Sequence, residues 1–379
     1  MKKNRILSIV LILVFCFADV SLAASNSIGV AKKAIKINNQ NKTVNVVTVD
    51  LNSPDIELGL SIANDKVGGS EDFLSMIKRK KAAAAINANF FDAYKTLEPY
   101  GGIMMNKEIV YLESSPASMT ISDKGKVDIG KYKIEINGYL DGFRENEWNN
   151  EKQDMDYYLF EIWYVNQVPR DPEGVYLFTK ARGDKVKLNG GIAIEVVKDK
   201  VTKITKNAKE AKIPKDGYII YYGNSKGFAS FVDDRFKIGQ TVELEYEIAE
   251  ESETSVKKPK KEEKIIKNST EIESMISAGP LLVQDGKIVF NPKTSGFTEN
   301  KIIKDRGQRS AIGITKSNKL LLVTGSNLNM NELSKVMVEL GAVKAMNLDG
   351  GASSGLYAKG NMITNPGRKL NTVLMIYNK

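Results

Sequence analysis

The sequence predicts a β-rich α/β fold of the α+β kind, a mixed sheet with many short hairpins and helices near residues 70–81 and 331–340. Three observations carry this expectation. Short apolar runs bounded by Asn, Asp, Gly and Lys recur along the chain, the pattern of strands joined by tight turns. Two stretches carry helix signals instead, acidic residues at the start of one and an apolar face closed by glycine in the other. The lone cysteine, Cys16, falls in a leader-like segment, so no disulfide scaffold is available and stability must come from a packed core.

In chain order, Ala34 to Ile37 and Val44 to Val49 form a hairpin around Asn38 to Lys42, and Ile56 to Ile62 alternates as a third strand. Ser70, Glu71 and Asp72 open the first helix, and Lys78, Arg79, Lys80 and Lys81 close it against the negative end of its dipole. Ala82 to Ile86 then reads as a buried strand despite the helix preference of alanine. Gly102 to Met105 pairs with Glu108 to Tyr111, and Ser118 to Ile121 with Lys126 to Ile129, each across a polar turn.

Strands continue through the middle of the chain at 157–165, 175–179, 192–198, 201–205, 218–222 and 241–248. Residues 251–268 carry charge without apolar periodicity and read as an exposed loop. Hairpins resume at 280–290 and 310–324. The second helix follows, with Leu333, Val336, Met337 and Leu340 on one face and Gly341 just past its end. A weak echo links the two helices, since each leads into a small apolar strand, one ending at Asn87 and the other at Asn347. If both strands were parallel members of one sheet, the two side chains would meet at its ligand-binding end.

The domain plan is a signal peptide over 1–23 and a single unit over 24–379, with core blocks at 82–121 and 277–379 and an intervening β-rich segment at 130–250. The leader follows from Lys2, Lys3 and Arg5, an apolar run shorter than the roughly 20 residues of a membrane span, and Ser21-Leu22-Ala23 as a cleavage site. The expected destination is outside the cytoplasm, secreted or on the cell wall.

Zero histidines remove Ser-His-Asp triads, Cys-His pairs and histidine-ligated zinc together. A net charge of +9 suits an anionic wall polymer or glycan phosphate as partner, and equally suits plain solubility. No nucleic-acid module is visible. Oxygen-ligand calcium is compatible with the Asp and Asn content.

The richest segment is Asn347-Leu348-Asp349-Gly350-Gly351-Ala352-Ser353-Ser354-Gly355, where an apolar strand runs into a carboxylate, two glycines and two hydroxyls. Glycines let a ligand approach backbone N–H groups, although Asp-Gly is also a common turn. This NLDGGASSG stretch resembles the C-terminal signature of the phosphodiester glycosidase family. Three further blocks resemble that family's in the same order: INANFFD at 86–92, SAGPLLVQDGKIV at 277–289 and QRSAIGIT at 308–315. Ala88 and Asn89 depart from a usual pair of glycines, Gly307 from a histidine, and Ser310 from a threonine.

The resemblance implies hydrolysis of a glycosyl phosphodiester at the bond between the sugar's anomeric carbon and oxygen. The family's best-known activity removes α-linked N-acetylglucosamine, and many bacterial members carry an exopolysaccharide label. Such chemistry is compatible with an absence of histidine, because a departing phosphate monoester needs little proton assistance. On this reading Asp349 is the candidate general base or electrostatic stabiliser, and Arg309 the candidate bidentate phosphate clamp.

Asn87 and Asn89 orient sugar hydroxyls or an acetamido group, or serve as turn residues. Asn347, Gly350, Gly351 and Ser310 complete the substrate-binding candidates with Ser353 and Ser354, which bind phosphate oxygen or cap the loop. Glu98 and Asp92 are reserve carboxylates. The alternative function is a non-catalytic protein that holds anionic glycan during wall or exopolysaccharide assembly.

Overall fold

The computed structural model describes residues 27–113, 115–251, 265–266 and 271–379, so the leader expected at 1–23 lies outside the described residues. The body is two antiparallel sheets packed face to face, with one helix on each outer surface. In the larger, seven-stranded sheet the order is Ile28–Ile37, Gln40–Asp50, Lys319–Leu328, Gly307–Thr315, Ala342–Asn347, Leu281–Gln284 and Lys287–Ile288. In the second, of five strands, it is Asn361–Thr364, Leu356–Ala358, Ala84–Asn87, Thr372–Asn378 and Ile56–Ile62.

Their facing sides share one core, built from residues such as Val47, Ile312, Leu322 and Met346 on one sheet and Ile86, Leu356, Leu374 and Ile376 on the other. A third sheet, Val127–Gly130, Ala117–Ser122, Ile272–Ala278, Ile103–Met105 and Glu108–Tyr111, adds Met119, Ile129 and Ile276 to it. Alternation with period two sends the neighbouring residues outward, and there the helices cover them.

Met330–Glu339 buries Met330, Leu333, Val336 and Met337 on the larger sheet. Phe73–Lys80 buries Phe73, Met76 and Ile77 on the second, against Ala85, Val373 and Met375. The first helix is shorter than expected because its caps, Asp72 and Lys81, fall inside the expected span, and the second is displaced by one residue toward its N-terminus, over Met330–Glu339. Asp72 is the N-cap of the first, accepting from the Ser75 N–H, so Ser70 and Glu71 precede the helix. Asn329 and Glu332 form a reciprocal capping box at the second, and Gly341 takes the left-handed conformation (φ 88°) just past its end.

The expected hairpins are present, and their turns explain themselves. Asn38 and Asn39, and Asn106 and Lys107, supply the two consecutive positive φ values that match the twist of a two-residue hairpin. The mixed character is narrower than expected: the parallel pairing among the described residues is Tyr164–Val165 against Val175–Phe178.

The intervening segment builds two larger sheets, besides the two-stranded pair of Glu147–Asn149 and Asp154–Asp156. One runs Leu159–Ile162, Tyr132–Leu140, Val242–Glu250 and Ile265–Ile266, and the other Tyr164–Val165, Val175–Phe178, Gly217–Tyr222, Lys185–Val197 and Lys200–Lys212. They enclose a separate apolar core around Ile136, Phe160, Ile194, Ile220 and Tyr222. A helix at Phe228–Arg235 and the short Asn300–Ile303 turn were not expected from the sequence. Most of the expected charged loop at 251–268 lies outside the described residues, but Ile265–Ile266 belongs to a strand rather than to a loop.

Candidate functional site

The strand ends at Asn87 and Asn347 do meet, though not as members of one sheet. Ala84–Asn87 belongs to the smaller sheet and Ala342–Asn347 to the larger, so the two ends face each other across the sandwich. Leu348 N–H bonds to the Ser310 carbonyl (2.9 Å) and Asp349 N–H to the Ala88 carbonyl (3.0 Å), which carries the chain from one sheet across to the other. Asn87 then fixes the loop that follows. Its amide nitrogen donates to the Asp349 carbonyl (2.6 Å), and its side-chain oxygen accepts from Gly355 N–H (3.0 Å).

The loop itself is a tight 3-10 turn at Gly351–Ser353. Gly350 is required by proximity, since a Cβ there would lie 2.8 Å from the Gln308 carbonyl oxygen, and Gly351 by its φ of 60°. Ser310 and Ser354 hydroxyls bond to each other across it (3.0 Å), both buried. These two hydroxyls pin the loop to the sheet.

Asp349 is partly buried in this setting. Its carboxylate accepts from Gly350 N–H (2.9 Å) and from the Ser353 hydroxyl. Burial outweighs both hydrogen bonds and pushes its pKa up to about 6, while Arg368 and Lys301 pull the other way through space. A carboxylate tuned to that range is ionised at neutral pH yet basic enough to take a proton.

Arg309 lies elsewhere. Neighbours on a strand point to opposite faces, so while Ser310 faces the loop, Arg309 turns toward the helix side of the larger sheet. There its Nε donates to the Leu328 carbonyl (3.1 Å) and its Nη2 to the carbonyls of Lys301 (2.8 Å) and Asp305 (2.5 Å). Its guanidinium gathers the ends of a strand and a short helix. The structure does not bring this fork to Asp349.

Two cations absent from the sequence-based candidates stand in its place. Lys301 is exposed, and its backbone is held by Arg309. Arg368 donates to the Tyr94 hydroxyl (3.0 Å) and lies 5.2 Å from that ring, which is 84% exposed. Neither occupies a motif, and only the electrostatic contact with Asp349 reveals them.

Asn89 and Asn347 are buried, and each spends its amide N–H on the same stretch of chain, the Ser277 carbonyl (2.7 Å) and the Gly279 carbonyl (2.8 Å) respectively. The side-chain oxygen of each has no hydrogen-bond partner. Such buried acceptors are uncommon and mark places where a donor is wanted. Asn89 also reaches the Gly102 carbonyl (3.4 Å).

Beside it opens a groove of about 520 Å³ whose lining includes Gly102, Ser115, Ser277 and Glu113. Glu113 accepts from Gly101 N–H (3.2 Å), and burial raises its pKa above the ordinary carboxylate range. Nothing in the local sequence distinguishes Glu113 from other surface glutamates. The reserve carboxylates are engaged elsewhere: Glu98 is buried between Arg182 (2.6 Å) and Arg170 (3.1 Å), and Asp92 caps the 92–96 turn through the N–H groups of Tyr94, Lys95 and Thr96.

Among the described residues no three Asp or Glu side chains gather into a metal-binding cluster. Among them, too, no helix is long and apolar enough to cross a membrane.

The two-sheet sandwich thus carries Asp349 on a glycine-rich loop, in a chain without histidine. Residues 190–377 match the phosphodiester glycosidase family model, and the chain belongs to that family. No curated protein matches the sequence. Among solved structures, a hypothetical protein from Synechocystis is similar at 21% identity and a TM-score of 0.76 over 93% of this chain, which spans 62% of that protein's length. A candidate exported protein from Burkholderia pseudomallei is similar at 17% identity and a TM-score of 0.67, covering 89% of this chain and 74% of its own. Both likenesses are of fold.

Proposed function

We propose that this chain hydrolyses the bond between a sugar's anomeric carbon and the oxygen of a phosphate diester, and that its substrate is a cell-wall or extracellular polysaccharide. The observation that carries this reading is the Asp349 carboxylate, poised near pH 6 on a loop fixed by Asn87, Ser310 and Ser354 and flanked in its field by Lys301 and Arg368. In the step proposed, Asp349 takes a proton from water as the water oxygen bonds to the anomeric carbon. The carbon–oxygen bond breaks, and its electron pair leaves with the phosphate monoester.

The positive field of Lys301 and Arg368 offsets the charge arriving on phosphate, the part that sequence reasoning gave to Arg309. The unpartnered oxygens of Asn89 and Asn347 suit donors from a sugar, either hydroxyls or an acetamido N–H. Export through the leader at 1–23 would bring the enzyme to such a polymer. The test is turnover of an α-glycosyl phosphodiester in ¹⁸O-labelled water. Label in the sugar supports cleavage at the anomeric carbon, and label in the phosphate refutes it.

A further inference from the structure

We propose that the intervening β-rich segment carries a second, non-catalytic saccharide site that holds one pyranose ring of the glycan chain against Trp163. The choice of a sugar as occupant rests on the substrate class proposed above; the site itself rests on separate observations. Between the two sheets of that segment opens a pocket of about 270 Å³ walled by Trp163, Tyr222, Phe228 and Phe231, with Asn137 and Glu161 also in its lining. Small-molecule sites commonly span roughly 300–1,000 Å³, so this one fits a single ring rather than a chain. Aromatic faces bordered by a few polar groups suit a pyranose, whose C–H face stacks while its hydroxyls find partners at the edge.

Three features single this pocket out from ordinary core. Trp163 is 46% exposed, and its indole N–H donates to the Glu161 carboxylate (3.3 Å), which holds the ring at the surface. The Tyr222 hydroxyl is buried without a hydrogen-bond partner, a cost that a folded protein rarely leaves standing. The rings are also pre-set by one another: Tyr222 meets Phe228 edge-on (5.1 Å between centroids), and Arg235 lies 3.6 Å from the centre of the Phe231 ring. A site that needs no rearrangement loses little entropy on binding.

Position supplies the remaining argument. Trp163 also lines the 520 Å³ groove whose other residues include Gly102 and Ser277. The carbonyls of those two residues hold Asn89 (3.4 and 2.7 Å), one residue from the Ala88 carbonyl that accepts Asp349 N–H. One indole therefore borders both the aromatic pocket and this groove, whose wall at Gly102 and Ser277 carries the carbonyls that hold Asn89. A glycan chain lying in the groove would place a more distant ring on Trp163.

The sequence holds two tryptophans, so Trp148→Phe leaves Trp163 as the sole indole reporter. Titration of that variant with maltohexaose and with N-acetylchitohexaose should change its emission saturably with at least one of them. By calorimetry Phe228→Ala and Trp163→Ala should weaken binding about tenfold or more. Tyr222→Phe should weaken it about fivefold, the loss of one hydrogen bond, with a melting temperature unchanged or raised because a buried unpaired hydroxyl is gone. That pairing separates a ligand role from a folding role.

Asp349→Asn should bind as the unmodified chain does. The proposal is overturned if neither saccharide gives a saturable response in a folded Trp148→Phe protein. It is equally overturned if anilinonaphthalene sulfonate occupies the pocket and saccharide does not displace it. Normal turnover of a short glycosyl phosphodiester without saccharide binding would remove this site and leave the catalytic reading standing. Saccharide binding without turnover of any phosphodiester would support this site and count against the catalytic reading.

Discussion

Replacing Asp349 by Asn should sharply reduce turnover while making the protein more stable at neutral pH. The carboxyl's folded pKa of about 6 lies above its ordinary value of 3.8. A raised pKa means that the folded state holds the proton more tightly than the unfolded state, so the group's contribution is greatest below pH 3.8 and is lost as pH rises through 6. At 1.36 kcal/mol per pKa unit, ionising Asp349 costs the fold up to about 3 kcal/mol at pH 7.

Asparagine keeps the shape and can still accept from Gly350 N–H and Ser353, but it carries no charge to desolvate. Thermal unfolding should therefore show Asp349→Asn melting on the order of a few degrees higher at pH 7.5, with the difference vanishing near pH 4. On α-glycosyl phosphodiester, turnover should fall about a hundredfold or more. A variant that melts lower at every pH, or that retains near-normal turnover, would refute the reasoning.

In the unmodified chain, kcat/KM should rise with pH through an apparent pKa near 6, and a profile flat from pH 4.5 to 7.5 would count against Asp349 as the base. Arg309→Lys should lower stability by about 2–4 kcal/mol, measured by denaturant titration, because lysine cannot reach the Leu328, Lys301 and Asp305 carbonyls together. Arg368→Gln should raise KM for the phosphodiester about tenfold with little change in melting temperature, since the residue lies on an exposed tyrosine; an unchanged KM would remove it from phosphate binding. Asn87→Ala should reduce kcat and speed proteolysis within 349–355, because both hydrogen bonds from Asn87 to that loop are lost.

The outline of the fold was legible because its signals are local. Turn residues such as Asn38-Asn39 and the apolar face of 331–340 act within a few positions, and each appears in the structure where the sequence placed it. The Asn347–Ser354 loop was legible for a similar reason, since carboxylate, glycines and hydroxyls lie side by side in the chain. Arg309 shows the limit. Its motif gave its identity, but the face on which a strand residue points depends on register against partners far away, and here the adjacent Ser310 and Arg309 point to opposite faces of the sheet. Lys301, Arg368 and Glu113 were hidden because what matters about them is proximity across the sandwich. The Phe228–Arg235 helix escaped notice because its apolar stripe is short, Phe228, Phe231 and Val232, before the charged Asp233, Asp234 and Arg235 end it.

The strand Thr372–Asn378 is hydrogen-bonded on one edge to Ile56–Ile62 and on the other to Ala84–Asn87. It is an interior member of its sheet, supplied some three hundred residues after its neighbours. Until those last residues arrive, both partner strands present unsatisfied edges and the Phe73–Lys80 helix has no Val373 or Met375 to rest on. The core cannot close piecemeal behind a growing chain. Folding of this body must wait until residues 372–378 have been made, with the slow, long-range contact formation that such topology entails. Removing residues 372–378 would therefore unzip the sheet from its middle rather than fray its edge.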